Sequence, residues 1–296
     1  MAIRKSFRAV YFNGESAYNH AMKLYALLPE PHEIVLEDMS SLDTVSRQLP
    51  QGLYSTFRTY AGRTKVLGLE MHLHRLYGPL SAIGIQAAVS PSELRAALRE
   101  TLRNFDAEEA RARMTISTTE QAGETFLALE PLKAPDETVY QRGVRVVLSP
   151  VERKTPRLKT TSFIGASDQA RKFIQKSGTY EALMTRRGKI LEGLTSNFYA
   201  VKNGCIITAQ NGILLGVTRR YVLRLARSNG IGIEYRAPRV EELPTWDEAF
   251  ITSSGRGVVP VTEIDGQPVG TGQVGEIARL LRRVYDEYVV KKAERI

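Results

Sequence analysis

Three short stretches of this chain carry side chains whose types suit one kind of chemistry. Lys159 stands in the run PRLKTTSF, in a Pro-x-x-Lys setting. Glu192 opens a Glu-Gly-x-x-x-Asn run that ends at Asn197. Leu214-Leu215-Gly216-Val217-Thr218-Arg219 leads straight into a helical pattern. A lysine that condenses with a carbonyl needs a depressed pKa, which desolvation or nearby cations supply. A carboxylate bonded to a pyridine nitrogen keeps that nitrogen protonated, and a ring held positive acts as an electron sink. The first amides of a helix, with the dipole behind them, receive a phosphate, and Gly216 allows close backbone approach. Amine, carboxylate and anion cup are together the parts that hold pyridoxal 5'-phosphate. Each has a plainer reading when taken singly: a surface lysine, a surface glutamate, an ordinary helix start. Thr252-Ser253-Ser254-Gly255 is a second run of hydroxyls that suits either phosphate donation or a simple loop.

Composition bounds the frame that positions these groups. The 296 residues fit one or two domains, and 43% hydrophobic with 25% charged residues is ordinary for a globular protein. No apolar run approaches the roughly 20 residues of a membrane helix. The stretch MAIRKSFRAVYFNGE lacks an apolar segment, so no signal peptide and a cytoplasmic location are expected. One cysteine, Cys205, excludes an internal disulfide framework and a cysteine-rich zinc site. The formal charge of +9 comes from scattered bases; Arg186-Arg187, Arg219-Arg220 and Arg282-Arg283 form no basic tail. A solvated basic surface is expected, with no nucleic-acid partner and no membrane. His72 and His74 lie two apart on a helical stretch and point in different directions, so they read as surface or capping residues and no metal is expected.

Along the chain, Ala9–Phe12 reads as a strand before Asn13-Gly14, and Ser16–Leu28 as a helix ending before Pro29. Residues 30–50 carry no clear signal. Gly52–Tyr60 reads as a strand and Leu69–Ile83 as a helix with apolar residues at 69, 73, 76, 80 and 83. Ser90-Pro91-Ser92-Glu93 starts a helix to Asn104, and Arg111–Thr118 pairs with Thr125–Leu129. In the second half, strands are expected at Val144–Leu148, Glu181–Thr185, Lys189–Leu191, Phe198–Val201, Ile206–Thr208, Ile231–Tyr235, Ala249–Thr252 and Val258–Ile264. Helices are expected at Ile164–Lys176, Val217–Ser228 and Gly275–Val290. Arg187-Gly188, Asn203-Gly204 and Asp265-Gly266 mark turns. The pattern implies two α+β domains: a small one over 1–130, a linker at 131–137 and a larger strand-rich one over 138–296.

The order and spacing of GLYSTFR, HLHRL, PRLK, EGLTSN, ILLGVTR and TSSGRGVVPV resemble the fold type IV pyridoxal-phosphate enzymes. These are the class IV aminotransferases, for branched-chain and D-amino acids, and aminodeoxychorismate lyase. The resemblance covers about residues 50–275. It implies a two-domain fold and a homodimer. It implies that Lys159 carries the cofactor and that Glu192 binds its pyridine nitrogen, with Asn197 holding the loop. It gives the phosphate to Arg75, to the backbone of Val217 and Thr218, and to Ser254 with Ser253. Tyr54, Arg58, Arg113 and Gly255 are the substrate positions it implies. The sequence departs from the family where Ser55 replaces a glutamate in the first strand, and from its branched-chain branch where Ile164 replaces a ring-contacting tyrosine; the D-amino-acid and lyase branches lack that tyrosine. Arg256-Gly257 also replaces a common Ala-Glu, and the loop from Thr208 to Leu214 is short.

The expectation is a transaminase that moves an amino group between an amino acid, branched-chain-like or D-configured, and a 2-oxo acid. Lys159 would act as base and acid on the substrate Cα proton. A lyase on the same scaffold is the first alternative. A non-catalytic basic binding protein is the second, and only the net charge speaks for it.

Overall fold

The computed structural model describes residues 22–28 and 30–296; the expected strand at Ala9–Phe12 and the Asn13-Gly14 turn lie outside them. The chain divides into two compact units. Unit 1 takes the residues up to Leu132 together with Thr160–Ile164 and Glu294–Ile296; unit 2 takes Lys133–Lys159 and Gly165–Ala293.

Unit 1 begins with a correction. Residues 23–28 of the expected helix Ser16–Leu28 form a strand, β1 (Lys23–Leu28). A short apolar run, here residues 24–28, satisfies either period, and an available sheet edge decides. Lys23–Leu27 pairs antiparallel with Thr125–Leu129 and buries Leu24 and Leu27 completely. The residues that gave no signal hold β2 (Glu30–Glu33) and α1 (Leu42–Gln48). Ser41 caps α1 reciprocally with Thr44, a pairing that lacks the Glu or Gln by which such caps are recognised. The expected β3 (Gly52–Tyr60) follows, then the short and unexpected β4 (Lys65–Val66), then the expected α2 (Leu69–Ala82), α3 (Pro91–Arg103), β5 (Ala110–Ser117) and β6 (Thr125–Pro131). Ser90 and Glu93 form the capping box of α3.

Unit 2 opens with α4 (Glu137–Arg142) and β7 (Val144–Ser149). The expected helix Ile164–Lys176 is two pieces, α5 (Ser162–Ala166), which begins in unit 1, and α6 (Asp168–Ser177). Gly165 and Ser167 are weak helix formers, and the Ser167 hydroxyl accepts a bond from Arg171 Nε at 2.9 Å. Then come β8 (Glu181–Arg186), β9 (Lys189–Gly193), β10 (Asn197–Lys202), β11 (Cys205–Ile207), α7 (Val217–Ser228) and β12 (Gly232–Glu234). β13 (Glu248–Ser253), β14 (Gly257–Ile264), β15 (Gln267–Pro268) and α8 (Glu276–Lys292) complete it. The turn residues Arg187-Gly188 and Asn203-Gly204 take left-handed backbone at both positions, as tight hairpins demand.

The strands of unit 2 run in the order β12-β11-β10-β13-β14-β7-β8-β9, and β9 pairs back onto β10. From β10 round to β9 the sheet therefore closes into a ring. Alternate side chains of these strands form a core of Val146, Leu183, Phe198, Ile251 and Val261, with Trp246 tilted against Phe198. The pairs β7–β8 and β14–β7 are parallel, so the sheet is mixed.

The last strand, β16 (Glu294–Arg295), belongs to unit 1, whose sheet runs β16-β4-β3-β5-β6-β1-β2 with antiparallel pairs throughout. One face carries Tyr54, Thr56 and Arg58 of β3 opposite Thr115, Arg113 and Arg111 of β5. The other face carries Ser55 and Phe57, against which α2 packs His72. That histidine is fully buried and hydrogen-bonded to Ser55 Oγ at 2.8 Å, so the surface expected for it is corrected. On the first face Arg113 is 4% exposed. It donates to Thr56 Oγ1 at 3.0 Å, to Leu42 O at 2.8 Å, to Ser46 Oγ at 2.7 Å and to Asp43 Oδ1 at 2.8 Å, and lies over the Tyr54 ring. This guanidinium holds α1 to the sheet. Arg113→Met should lower unfolding stability by about 2–3 kcal/mol, since it removes the buried guanidinium that Asp43 and three other acceptors share. A urea midpoint equal to that of wild type would remove Arg113 from the frame.

Candidate active site

The ring of strands in unit 2 closes at one ladder pair, Glu192 with Asn197. Between them Gly193 N donates to Ser196 O at 2.8 Å. A Cβ at Gly193 would fall 2.2 Å from Ser196 Oγ, so a side chain there would displace that hydroxyl. Asn197 Nδ2 donates to Glu192 Oε2 at 3.2 Å and to Leu214 O at 2.8 Å, and Leu214 N donates to Glu192 Oε2 at 3.1 Å. Asn197 Oδ1 lies 2.2 Å from where a Cβ at Gly216 would stand. Gly216 is thus needed for the amide of Asn197 to reach the chain leading into α7. No side chain among the described residues caps α7, which starts at Val217 and Thr218 with Gly216 at the cap. Thr218 Oγ1 donates to Ser254 Oγ at 3.4 Å, which brings the Ser253–Gly255 loop beside that helix start. Ser253 Oγ accepts from Arg256 Nε at 3.0 Å.

Glu192 is 2% exposed. Arg153, six residues before Lys159, donates from Nε to Glu192 Oε1 at 3.2 Å with its own side chain 5% exposed. Burial pushes the Glu192 carboxyl up to about 7, and Arg153, the Leu214 amide and the charge of Lys159 pull against it. A carboxylate has about four acceptor positions. Among the described residues three bonds to Glu192 are present, two on Oε2 and one on Oε1. The residues therefore fit one more cationic donor on Oε1, such as a protonated ring nitrogen, whose charge would bring the carboxyl back down. An amine and an uncapped helix start with hydroxyls beside it complete a set of donors suited to a phosphorylated carbonyl cofactor.

The family model for amino-transferase class IV matches residues 52–264 of this chain. The chain belongs to the class IV aminotransferases. D-alanine aminotransferase of Bacillus licheniformis is 30% identical over 256 residues, covering 78% of this chain and 85% of that one. Aminodeoxychorismate lyase of Bacillus subtilis is 27% identical over 255 residues, covering 80% and 85%. Among solved structures, a branched-chain amino acid aminotransferase of T.th. with pyridoxamine 5'-phosphate has a TM-score of 0.76 at 23% identity, covering 91% of this chain and 94% of that one. The fold is that of the type IV enzymes, mixed α and β, and this aminotransferase is an enzyme of the transaminase class. Among its described residues no helix is long and apolar enough to cross a membrane, and no group of three or more His, Cys, Asp or Glu could hold a metal ion.

Of the residues singled out in the sequence, unit 2 bonds Glu192 to Asn197 and Thr218 to Ser254, places Val217 beside Thr218 in the first turn of α7, and lets Lys159 act on Glu192 by its charge. Ser253 is engaged by Arg256, and Gly255 lies between Ser254 and Arg256 in that loop. Arg75 is half-buried on α2 of unit 1. Tyr54, Arg58 and Arg113 share a sheet face there; Arg58 lies over the Tyr60 ring. Arg153 was not legible: nothing in Val-Glu-Arg-Lys separates a buried arginine from a surface one.

The raised carboxyl sets a pH dependence. Folded Glu192 takes up its proton at about 7, against an ordinary value of 4.5. Between those values the folded state binds the extra proton, so stability falls as pH rises through that window. In protein purified without ligand the decline attributable to Glu192 should be on the order of 3 kcal/mol. Glu192→Gln should flatten it, and Arg153→Met should extend it to higher pH. Melting curves from pH 4.5 to 8 check this, and a Glu192→Gln profile parallel to wild type would contradict the assignment.

Proposed function

We propose that this transaminase uses pyridoxal 5'-phosphate held by Lys159, Glu192 and the start of α7. The observation that carries the reading is the Glu192 carboxyl, buried at the closure of the strand ring and pushed up to about 7 despite Arg153, in a chain of the aminotransferase family. The cofactor would supply an electron sink that lowers the cost of removing the substrate Cα proton. Glu192 would keep the ring nitrogen protonated, and Asn197 would fix the carboxylate's orientation. Lys159 would take the Cα proton and return it to the product carbon. The amides of Val217 and Thr218, the hydroxyl of Ser254 and, by the family's pattern, the guanidinium of Arg75 would bind phosphate. Tyr54, Arg58 and Gly255 are proposed for the substrate. The bonds of Arg113 to α1 favour a framework role for it instead.

The amino donor is proposed to be branched-chain-like or D-configured, in line with the names of the relatives above, and the acceptor a 2-oxo acid. A lyase reaction is the second reading, favoured by the similarity to the Bacillus subtilis lyase. A cytoplasmic homodimer belongs to the same proposal.

Borohydride reduction with pyridoxal 5'-phosphate, followed by peptide mapping, should label Lys159. The wild type should aminate a 2-oxo acid from one or more donors in a panel of L- and D-amino acids, and Lys159→Ala should aminate none. Label on Lys154 or Lys172, or release of pyruvate without amino transfer, would overturn the reading. The phosphate is tested separately. Arg75→Ala should weaken binding of the phosphorylated cofactor by about 2–4 kcal/mol. Ser254→Ala should cost about 1 kcal/mol. Titration with pyridoxal lacking phosphate should erase both differences. Wild-type affinity in Arg75→Ala would place the phosphate elsewhere.

A further inference from the structure

Arg256 follows the proposed phosphate and substrate residues in the β13–β14 loop, where the family commonly has a small residue. Its guanidinium is engaged on several sides. Nε donates to Ser253 Oγ at 3.0 Å. Nη2 donates to Thr195 Oγ1 at 2.7 Å and to Glu181 Oε2 at 3.1 Å. The group also lies over the Tyr180 ring, 5.3 Å from its centroid. The Arg256 carbonyl accepts from Tyr140 OH of α4 at 2.9 Å. Glu181 is 3% exposed and also accepts from Thr195 Oγ1 at 2.6 Å and Ser196 Oγ at 3.3 Å. Thr195 and Ser196 belong to the turn between Glu192 and Asn197. Gly257 has φ +67°, and a Cβ there would come within 3.3 Å of the Tyr285 ring. The loop reverses at this left-handed residue directly after Arg256. Arg256 and Gly257 therefore form one device: the glycine sets the bend and the arginine anchors it.

We propose that Arg256 is a positioning residue that locks the Ser253–Gly257 loop to the Glu192–Asn197 turn, so that Ser254 and Gly255 are held ready for an anionic group. The inference rests on the reading that Ser254 serves the cofactor phosphate, and it reassigns the Ser253 hydroxyl from phosphate to the lock. One guanidinium, with its fixed fork of donors, ties the carboxylate side of the site to its anion side. A lysine has no such fork, so Arg256→Lys would keep the charge without the three-way hold.

The test compares Arg256→Gln, the pair Arg256→Gln/Glu181→Gln, and Ser254→Ala, each titrated with pyridoxal 5'-phosphate and with pyridoxal and each melted thermally. Arg256→Gln should lose about five- to tenfold in affinity for the phosphorylated cofactor and little for pyridoxal, as expected for roughly one displaced hydrogen bond. It should also melt lower, because Glu181 keeps a buried charge without its counter-ion. In the pair that charge is gone: the melting temperature should recover while the affinity loss persists. If Arg256→Gln does not fold, the pair carries the test. Recovery of both quantities in the pair, or wild-type affinity in Arg256→Gln, overturns the proposal, because Arg256 would then merely neutralise Glu181. Ser254→Ala separates the two readings. If it binds both cofactor forms as wild type does, the phosphate assignment fails and the inference with it. If it loses affinity while the Arg256 variants do not, only the positioning role fails.

Discussion

A carboxylate buried at the closure of a strand ring is the constraint on which the rest of unit 2 depends. Glu192 pairs with Asn197 to join β9 to β10, and it does so with its side chain 2% exposed. Burying a charge is costly unless it is paired and hydrogen-bonded. The surroundings offset that cost in part: Arg153 on one oxygen, Asn197 and the Leu214 amide on the other. The partial compensation is what the site can use, since a ligand that brings a positive charge stabilises the protein as it binds. The two glycines of the motif runs follow from the same crowding, one in the turn after Glu192 and one against Asn197 before α7.

Much of this frame was legible in the sequence, for identifiable reasons. β3 declared itself by its aromatic and β-branched residues, α3 by its capping box, α7 by a glycine followed by helical periodicity, and the hairpins of unit 2 by their Asn-Gly and Arg-Gly pairs. What failed was decided by distant parts of the chain. Leu24 and Leu27 suit a helix until β6 offers an edge. α1 is seven residues long and is kept in place by Arg113, which comes from β5 about seventy positions later. His72 looks like a surface residue until Phe57 and Ser55 cover it. Lys159, Glu192 and Asn197 were singled out by short motifs and the family resemblance they carry, whereas Arg153 and the bonds of Arg256 required the folded arrangement.

The basic excess of the chain also takes on a different meaning. Net charge suggests a surface property, yet Arg113 and Arg219 are buried and the Arg153 side chain is 5% exposed. Arg219 donates to Ala209 O at 2.8 Å and to Gln210 Oε1 at 3.0 Å from the first turn of α7. These guanidiniums act as internal braces, suited to the task where lysine is not, because several donors in one plane can satisfy several carbonyls and carboxylates at once. Part of the +9 charge therefore lies inside the protein.

The outer strand β16 has a consequence for how the chain is made. It pairs with β4, Glu294 Oε1 accepts from Leu69 N at the start of α2 across 225 positions, and Arg99 Nε donates to Ile296 O at 2.7 Å. Thr161 N likewise reaches back to Gly52 O. A growing polypeptide can assemble β3, β5 and β6 from neighbouring segments, but the amide at the head of α2 has to wait for a partner synthesised more than two hundred residues afterwards. Loop closure over such a span is slow compared with local pairing. The last strand of unit 1 is thus added only after the whole of unit 2 has been translated.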